Sequence, residues 1–206
     1  TARWRPMPCV TNECSYDTVG GGYGNNVAER ASIVGGYWNS AVAYYGSIGG
    51  GRRNRVDGIF GAVSGGKENA ADGLSSNVGG GYFNTAAGSY SNIGGGESNA
   101  AVAWASVIAG GQDNIVSGYT GSVGGGYGNN VSGPFAGVAG GERNAAMGPW
   151  SAVLGGLKNS AVGESSGDQK LASHTRHFNF VVRMLLLSCA VALFVHFLIR
   201  VCTLSM

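Results

Sequence analysis

The stretch Asn77-Val-Gly-Gly-Gly-Tyr-Phe-Asn-Thr-Ala-Ala-Gly-Ser-Tyr-Ser-Asn-Ile-Gly-Gly-Gly-Glu-Ser-Asn-Ala-Ala101 carries one unit twice. Gly80-Gly81 stand before Asn84, and Gly95-Gly96 before Asn99. Outward from here the Asn recurs as a column: Asn25, Asn39, Asn54, Asn69, Asn84, Asn99, Asn114, Asn129, Asn144 and Asn159. The first interval is 14 residues and every later one is 15. Six residues before each Asn stands Val or Ile, and two after it Ala or Val. Four after it Gly is usual, as at Gly58, Gly73 and Gly88. Internal periods of this kind decide a fold before any local propensity does.

A helix does not carry such a unit, because each glycine costs ~1 kcal/mol relative to alanine at a helical site. A repeat this short fits one turn of a β-solenoid. The β-branched column points inward from short strands, and glycine supplies positive-φ corners. Small inward residues imply a narrow coil without a cavity. The expected fold is all-β: a single-stranded β-solenoid of about ten 15-residue coils, ~45–50 Å long at one strand spacing per coil. The Asn column has two readings. A buried ladder would use the amide's donors and acceptors to satisfy corner backbone groups; alternatively, Asn is a surface turn residue.

Composition narrows the classes. Glycine contributes 39 of 206 residues with only 4 prolines, and no Gly-X-Y period exists, which excludes collagen. Charged residues are 12% and the net charge is +2; no basic run points to nucleic acid. Four cysteines are too few for a disulfide framework. Cys9 and Cys14 could close a small loop or stay as free thiols.

The motifs SIVGGYWNSAVA, NVGGGYFNTAAGSYSNIGGGESNAA and SVGGGYGNNVSG resemble the head repeats of trimeric autotransporter adhesins, and look like Gly-Asn repeat proteins of algae. The resemblance covers residues 17–163. It implies a left-handed β-roll and, for the adhesins, a homotrimer at a cell surface. Residues 164–177, ESSGDQKLASHTRH, show no heptads of the kind that an adhesin stalk would continue into.

Residues 178–204 change character. From Met184 to Ile199 no charge occurs apart from a titratable His196. With Arg183 and Arg200 at its ends, the segment is long enough to span a ~30 Å hydrocarbon core. The expectation is an N-terminal cap segment (1–16), solenoid repeats (17–163), a polar linker (164–177) and one C-terminal transmembrane α-helix (178–204). An ionisable residue in a span is a functional candidate: His196 could ligate a pigment or haem, or bond to a neighbouring helix. No cofactor is expected in the solenoid.

Tempting chemistry dissolves on inspection. Gly61-Ala-Val-Ser-Gly-Gly-Lys67 matches G-x-x-x-x-G-K, but Glu68 stands where a phosphate loop needs Ser or Thr. Asp57 and Asp72 share a column, with Arg53, Arg55 and Lys67 nearby, and read as a solvated charged patch. His174 and His177 lack further metal ligands in sequence, and no metal is expected. Asn130-Val-Ser132 is the one glycosylation sequon.

Five and six residues after the Asn runs a row of large groups: Tyr44, Tyr45, Ile59, Phe60, Leu74, Tyr90, Trp104, Tyr119, Phe135 and Trp150. Such a row marks a partner edge, or it folds over the corner and caps a thin core. The resulting expectation is a non-catalytic, membrane-anchored structural or interaction protein. Its partners would be lipid and other membrane-protein subunits, in an organellar membrane with the thylakoid as the specific guess. The alternative is a cell-surface, adhesin-like homotrimer.

Overall fold

The computed structural model describes residues 16–164. Cys9, Cys14, the linker beyond Glu164, His174, His177 and the 178–204 segment with His196 lie outside the described residues. No helix among the described residues is long and apolar enough to cross a membrane.

Within 16–164 the chain is a parallel β-solenoid. Twenty two-residue strands alternate between two ten-stranded sheets, and the order in each sheet follows the chain. The first sheet runs from Thr18–Val19 to Ala152–Val153 and the second from Asn26–Val27 to Ser160–Ala161. Register is one repeat per coil: Asn92 pairs with Asn77 on one side and Val107 on the other, and Ala86 with Ala71 and Ala101. A third line of contact, of isolated parallel bridges, runs from Tyr23↔Tyr37 to Glu142↔Leu157. Each coil is therefore three-sided.

The core is one column from each sheet. Ile33, Ile48, Ile93 and Ile108 of the first sheet are buried, and so are Ala41, Val56, Ala71 and Val116 of the second. Strand period 2 places their neighbours outside. Each coil points inward one Val or Ile from the first sheet and one Ala or Val from the second, beside small buried residues such as Ala31 and Ser91, so the core is narrow.

The three corners differ. Gly81, of the column three before the Asn, has φ +90°, and a Cβ there would collide with the Gly96 carbonyl of the next coil. Close backbone approach therefore requires glycine at this corner. The other two corners also turn at positive φ, but mostly on ordinary residues, Gly24 and Gly128 before Asn25 and Asn129 being glycine. Phe83 (φ 55°) and Asp113 (φ 55°) stand just before the Asn, and Phe60 (φ 57°), Thr120 (φ 52°) and Trp150 (φ 58°) six after it. The expectation that glycine supplies the corners holds for one of the three. At the others the side chain points into open solvent or onto its neighbour, and the stacked carbonyls hold a backbone that L-residues adopt reluctantly.

Candidate interaction surface

The Asn column is interior. From Asn39 to Asn144 each side chain is at most 1% exposed, and Asn25 and Asn159, in the end coils, are partly buried. Asn84 Nδ2 donates to the carbonyl of Gly80 in its own coil at 2.9 Å and to that of Gly96 in the next at 2.8 Å. Its backbone N–H donates to Asn69 Oδ1 at 3.0 Å. The same pattern repeats at Asn99, Asn114 and Asn129. This column consumes its hydrogen-bonding capacity inside the rod and offers none to a ligand.

The row of large side chains lies outside. Tyr44, Tyr45, Phe60, Tyr90, Trp104, Tyr119, Phe135 and Trp150 are between 37% and 58% exposed. The corner turns at positive φ on Tyr45, Phe60, Tyr90, Phe135 and Trp150 themselves and on Ala105 and Thr120, just after Trp104 and Tyr119, and one strand spacing between coils brings rings into contact. Tyr45 stacks on Phe60 (centroids 5.2 Å apart, planes 2° apart), Trp104 on Tyr119 (4.8 Å, 7°) and Phe135 on Trp150 (4.2 Å, 9°). Edge-on contacts join Tyr90 to Trp104 and Tyr119 to Phe135. Ile59 and Leu74 are exposed in the same line. The result is a ridge in which stacked and edge-on ring contacts alternate from Tyr90 to Trp150, with the Tyr45–Phe60 pair and Leu74 continuing the line before it. Each such pair contributes ~0.5–1.5 kcal/mol beyond burial, so the ridge is pre-ordered.

Charge is segregated from it. Apart from Asp17, Glu29 and Arg30 in the first coil and Glu164 after the last, charged side chains among the described residues occupy two places. One is the corner just before the Asn (Arg52, Arg53, Lys67, Glu68, Glu97, Asp113, Glu142, Arg143, Lys158), and the other is the outer face of the second sheet (Arg55, Asp57, Asp72). The outward positions of the first sheet carry none, and neither does the ridge from Tyr44 to Trp150.

Asp57 and Asp72 do meet, across Arg55: Nη1 to Asp57 at 3.1 Å and Nη2 to Asp72 at 2.6 Å. Burial pushes the Asp72 carboxyl up from its ordinary range, Arg55 pulls it down, and Asp57 adds to the rise. Arg53 and Lys67 converge on Glu68 at 3.4 and 3.6 Å. Such partly exposed pairs contribute little each. Lys67 of the G-x-x-x-x-G-K match is a bridge residue between Arg52 and Tyr82, and its ammonium sits 4.5 Å from the Tyr82 ring centre. The glycines of the match belong to the coil, not to a loop before a helix. Asn130 and Ser132 of the sequon are exposed on the second sheet. Among the described residues no three His, Cys, Asp or Glu side chains are placed to hold a metal.

A smaller aromatic group went unread in the sequence. Tyr23 and Trp38 meet edge-on at 5.4 Å, and Tyr82 and Phe83 at 4.4 Å, at the corner before the Asn. There aromatics alternate irregularly with charges, so no column stands out. No protein-family model matches the chain, and no curated protein matches it.

Proposed function

We propose that this chain is a non-catalytic structural protein that joins a larger membrane complex. In this reading the solenoid, wound left-handed, is a rigid strut. The ridge from Tyr44 to Trp150 is its protein-contact edge, and residues 178–204 form the single transmembrane helix that sets its depth. The observation that carries the reading is the ridge: aromatic side chains, pre-stacked, exposed and free of charge over most of the rod. Exposed apolar patches of this continuity mark contact surfaces. A photosynthetic or other organellar membrane is the proposed setting, with His196 as the residue to meet a pigment or a neighbouring helix. The likeness of residues 17–163 to adhesin heads favours a second reading, a cell-surface adhesin.

The test is made in native membranes. The tagged chain should resist carbonate extraction and migrate on native gels at the mass of a complex. Trp104→Glu with Tyr119→Glu should leave membrane attachment intact but abolish comigration. Release by carbonate overturns the anchor, and undiminished comigration of the doubly substituted chain overturns the ridge as the contact edge.

A further inference from the structure

Resting on the reading of the ridge as a contact edge, we propose that its partner is a second copy of this chain. The two rods would lie parallel about a two-fold axis running along their length. Three observations on the first sheet and its borders carry this.

The first is relief. Beside the ridge, the outward positions of the first sheet are uncharged and mostly small (Ser47, Ala62, Ser122, Gly137, Ala152), with Asn77, Asn92 and Val107 between them. On its far side, five before the Asn, stand Gly49, Ser64, Gly79, Gly94, Ala109, Gly124 and Ala139, and the column ends on a large residue, Leu154, in the coil of Trp150. From Tyr45 to Phe135 one flank of this face is thus raised by large side chains and the other lowered to glycine, alanine and serine. Rotating a copy by 180° about the rod axis brings raised flank over lowered flank on both sides at once. Every coil shares one period, so the match repeats down the rod: Phe135 of the second copy comes level with Ala139 of the first, which lies in the same coil as its own Phe135. A two-fold axis across the rods would instead set ridge on ridge.

The second is charge. Identical faces repel wherever they carry charge, and this face with its ridge carries none between Tyr44 and Leu154. The charged corner and the Arg55–Asp57–Asp72 group lie on the other two sides of the coil. A face neutral on both copies leaves no charge buried without a partner when they meet.

The third is area. From Tyr45 to Trp150 the ridge spans seven coil steps, ~35 Å at one strand spacing each. With a face and corner ~20 Å wide, the buried surface is ~700 Å² per copy, or ~1,400 Å² in total, inside the range of stable specific interfaces. Parallel alignment also brings Glu164 of both copies to the same end of the pair.

The experiment uses the full chain with Cys9, Cys14, Cys189 and Cys202 replaced by serine, purified in mild detergent without other subunits. Light scattering should give two copies, and Ala109→Glu, an exposed site, should give one while the circular dichroism spectrum is unchanged. Separately tagged Phe135→Cys and Ala139→Cys chains, mixed and treated with a short bismaleimide, should yield a heterologous dimer. Glu142→Cys, on the charged corner, should not cross-link with Phe135→Cys. One-copy or three-copy mass for the parent chain, or a cross-link through Glu142→Cys in place of Ala139→Cys, overturns the pairing. If the purified chain is a monomer while the ridge is protected from labelling in native membranes, the pairing falls and the contact edge stands. If the ridge labels freely in both, the two fall together.

Discussion

The side-chain oxygen of Asn84 accepts two hydrogen bonds from Asn99, one from its backbone N–H and one from its side-chain amide, both at 3.0 Å. From Asn25 to Asn144 each Asn thus serves as acceptor for the next coil and as donor to the carbonyls around it.

This separates the ladder from a turn by experiment. A surface turn accepts Asp as readily as Asn; the ladder does not, since a carboxylate offers no donor to Gly80 and Gly96 and would face their carbonyls. Asn84→Ala should cost about 2–4 kcal/mol, from several groups left short of partners. Asn84→Asp should cost more than Asn84→Ala at neutral pH and recover on acidification as the carboxyl takes a proton. Urea melts of the three proteins across pH decide it, and equal midpoints for Asn and Asp at neutral pH would restore the turn reading.

Two glycines of the same kind in the sequence should behave oppositely. Gly81→Ala places a methyl against the Gly96 carbonyl at φ +90° and should destabilise by at least ~2 kcal/mol. A Cβ at Gly65 meets nothing within 4 Å. Gly65→Ala should be neutral or stabilise by up to ~1 kcal/mol through the unfolded chain. Thermal melts of both variants check the pair.

Corner strain is open to test at Thr120, a β-branched residue at φ 52° whose backbone N–H bonds to the Trp104 carbonyl at 3.0 Å. Asparagine tolerates this conformation far better. Thr120→Asn should raise stability by ~0.5–1 kcal/mol. A melting midpoint that falls would show that the threonine side chain contributes something the corner needs.

Asp72 gives a pH dependence with a definite sign. Its folded pKa lies above the ordinary carboxyl value, chiefly through burial, so the native state holds the proton more tightly than the unfolded one. Stability from this group is therefore greatest below the unfolded value and declines as pH rises through the folded one. Asp72→Asn removes the decline, so its stability relative to the parent should improve between pH 4 and pH 7. Arg55 keeps Asp57 as a partner, at 3.1 Å. A relative stability that worsens over that interval would mean that the Arg55 pair outweighs burial.

The coils, their number and their inward columns were legible because the constraint is repeated: Ile33, Ile48, Ile93 and Ile108 occupy one column, and only a stacked coil returns each to the same place. The row from Tyr44 to Trp150 was legible as a column, but whether it folded inward was not. That depends on the positive φ of residues such as Phe60 and Trp150, which nothing in their side chains announces. The third line of contact escaped notice for a related reason. Its members, among them Tyr37, Arg52, Lys67 and Tyr82, share a backbone pairing but no chemistry. Segregation of charge emerged only once three sides could be told apart, because residues adjacent in sequence, such as Gly66 and Lys67, lie on opposite sides of a corner.

Register of one repeat per coil means that every coil bonds only to the coil before and the coil after, through identical atoms. An in-frame recombination between any two of the 15-residue repeats would therefore delete or insert whole coils and leave the backbone and Asn bonding of each remaining junction unchanged. Evolution can set the length of such a rod in single steps, as a ruler cut to the distance it must cover, with no redesign of its interior.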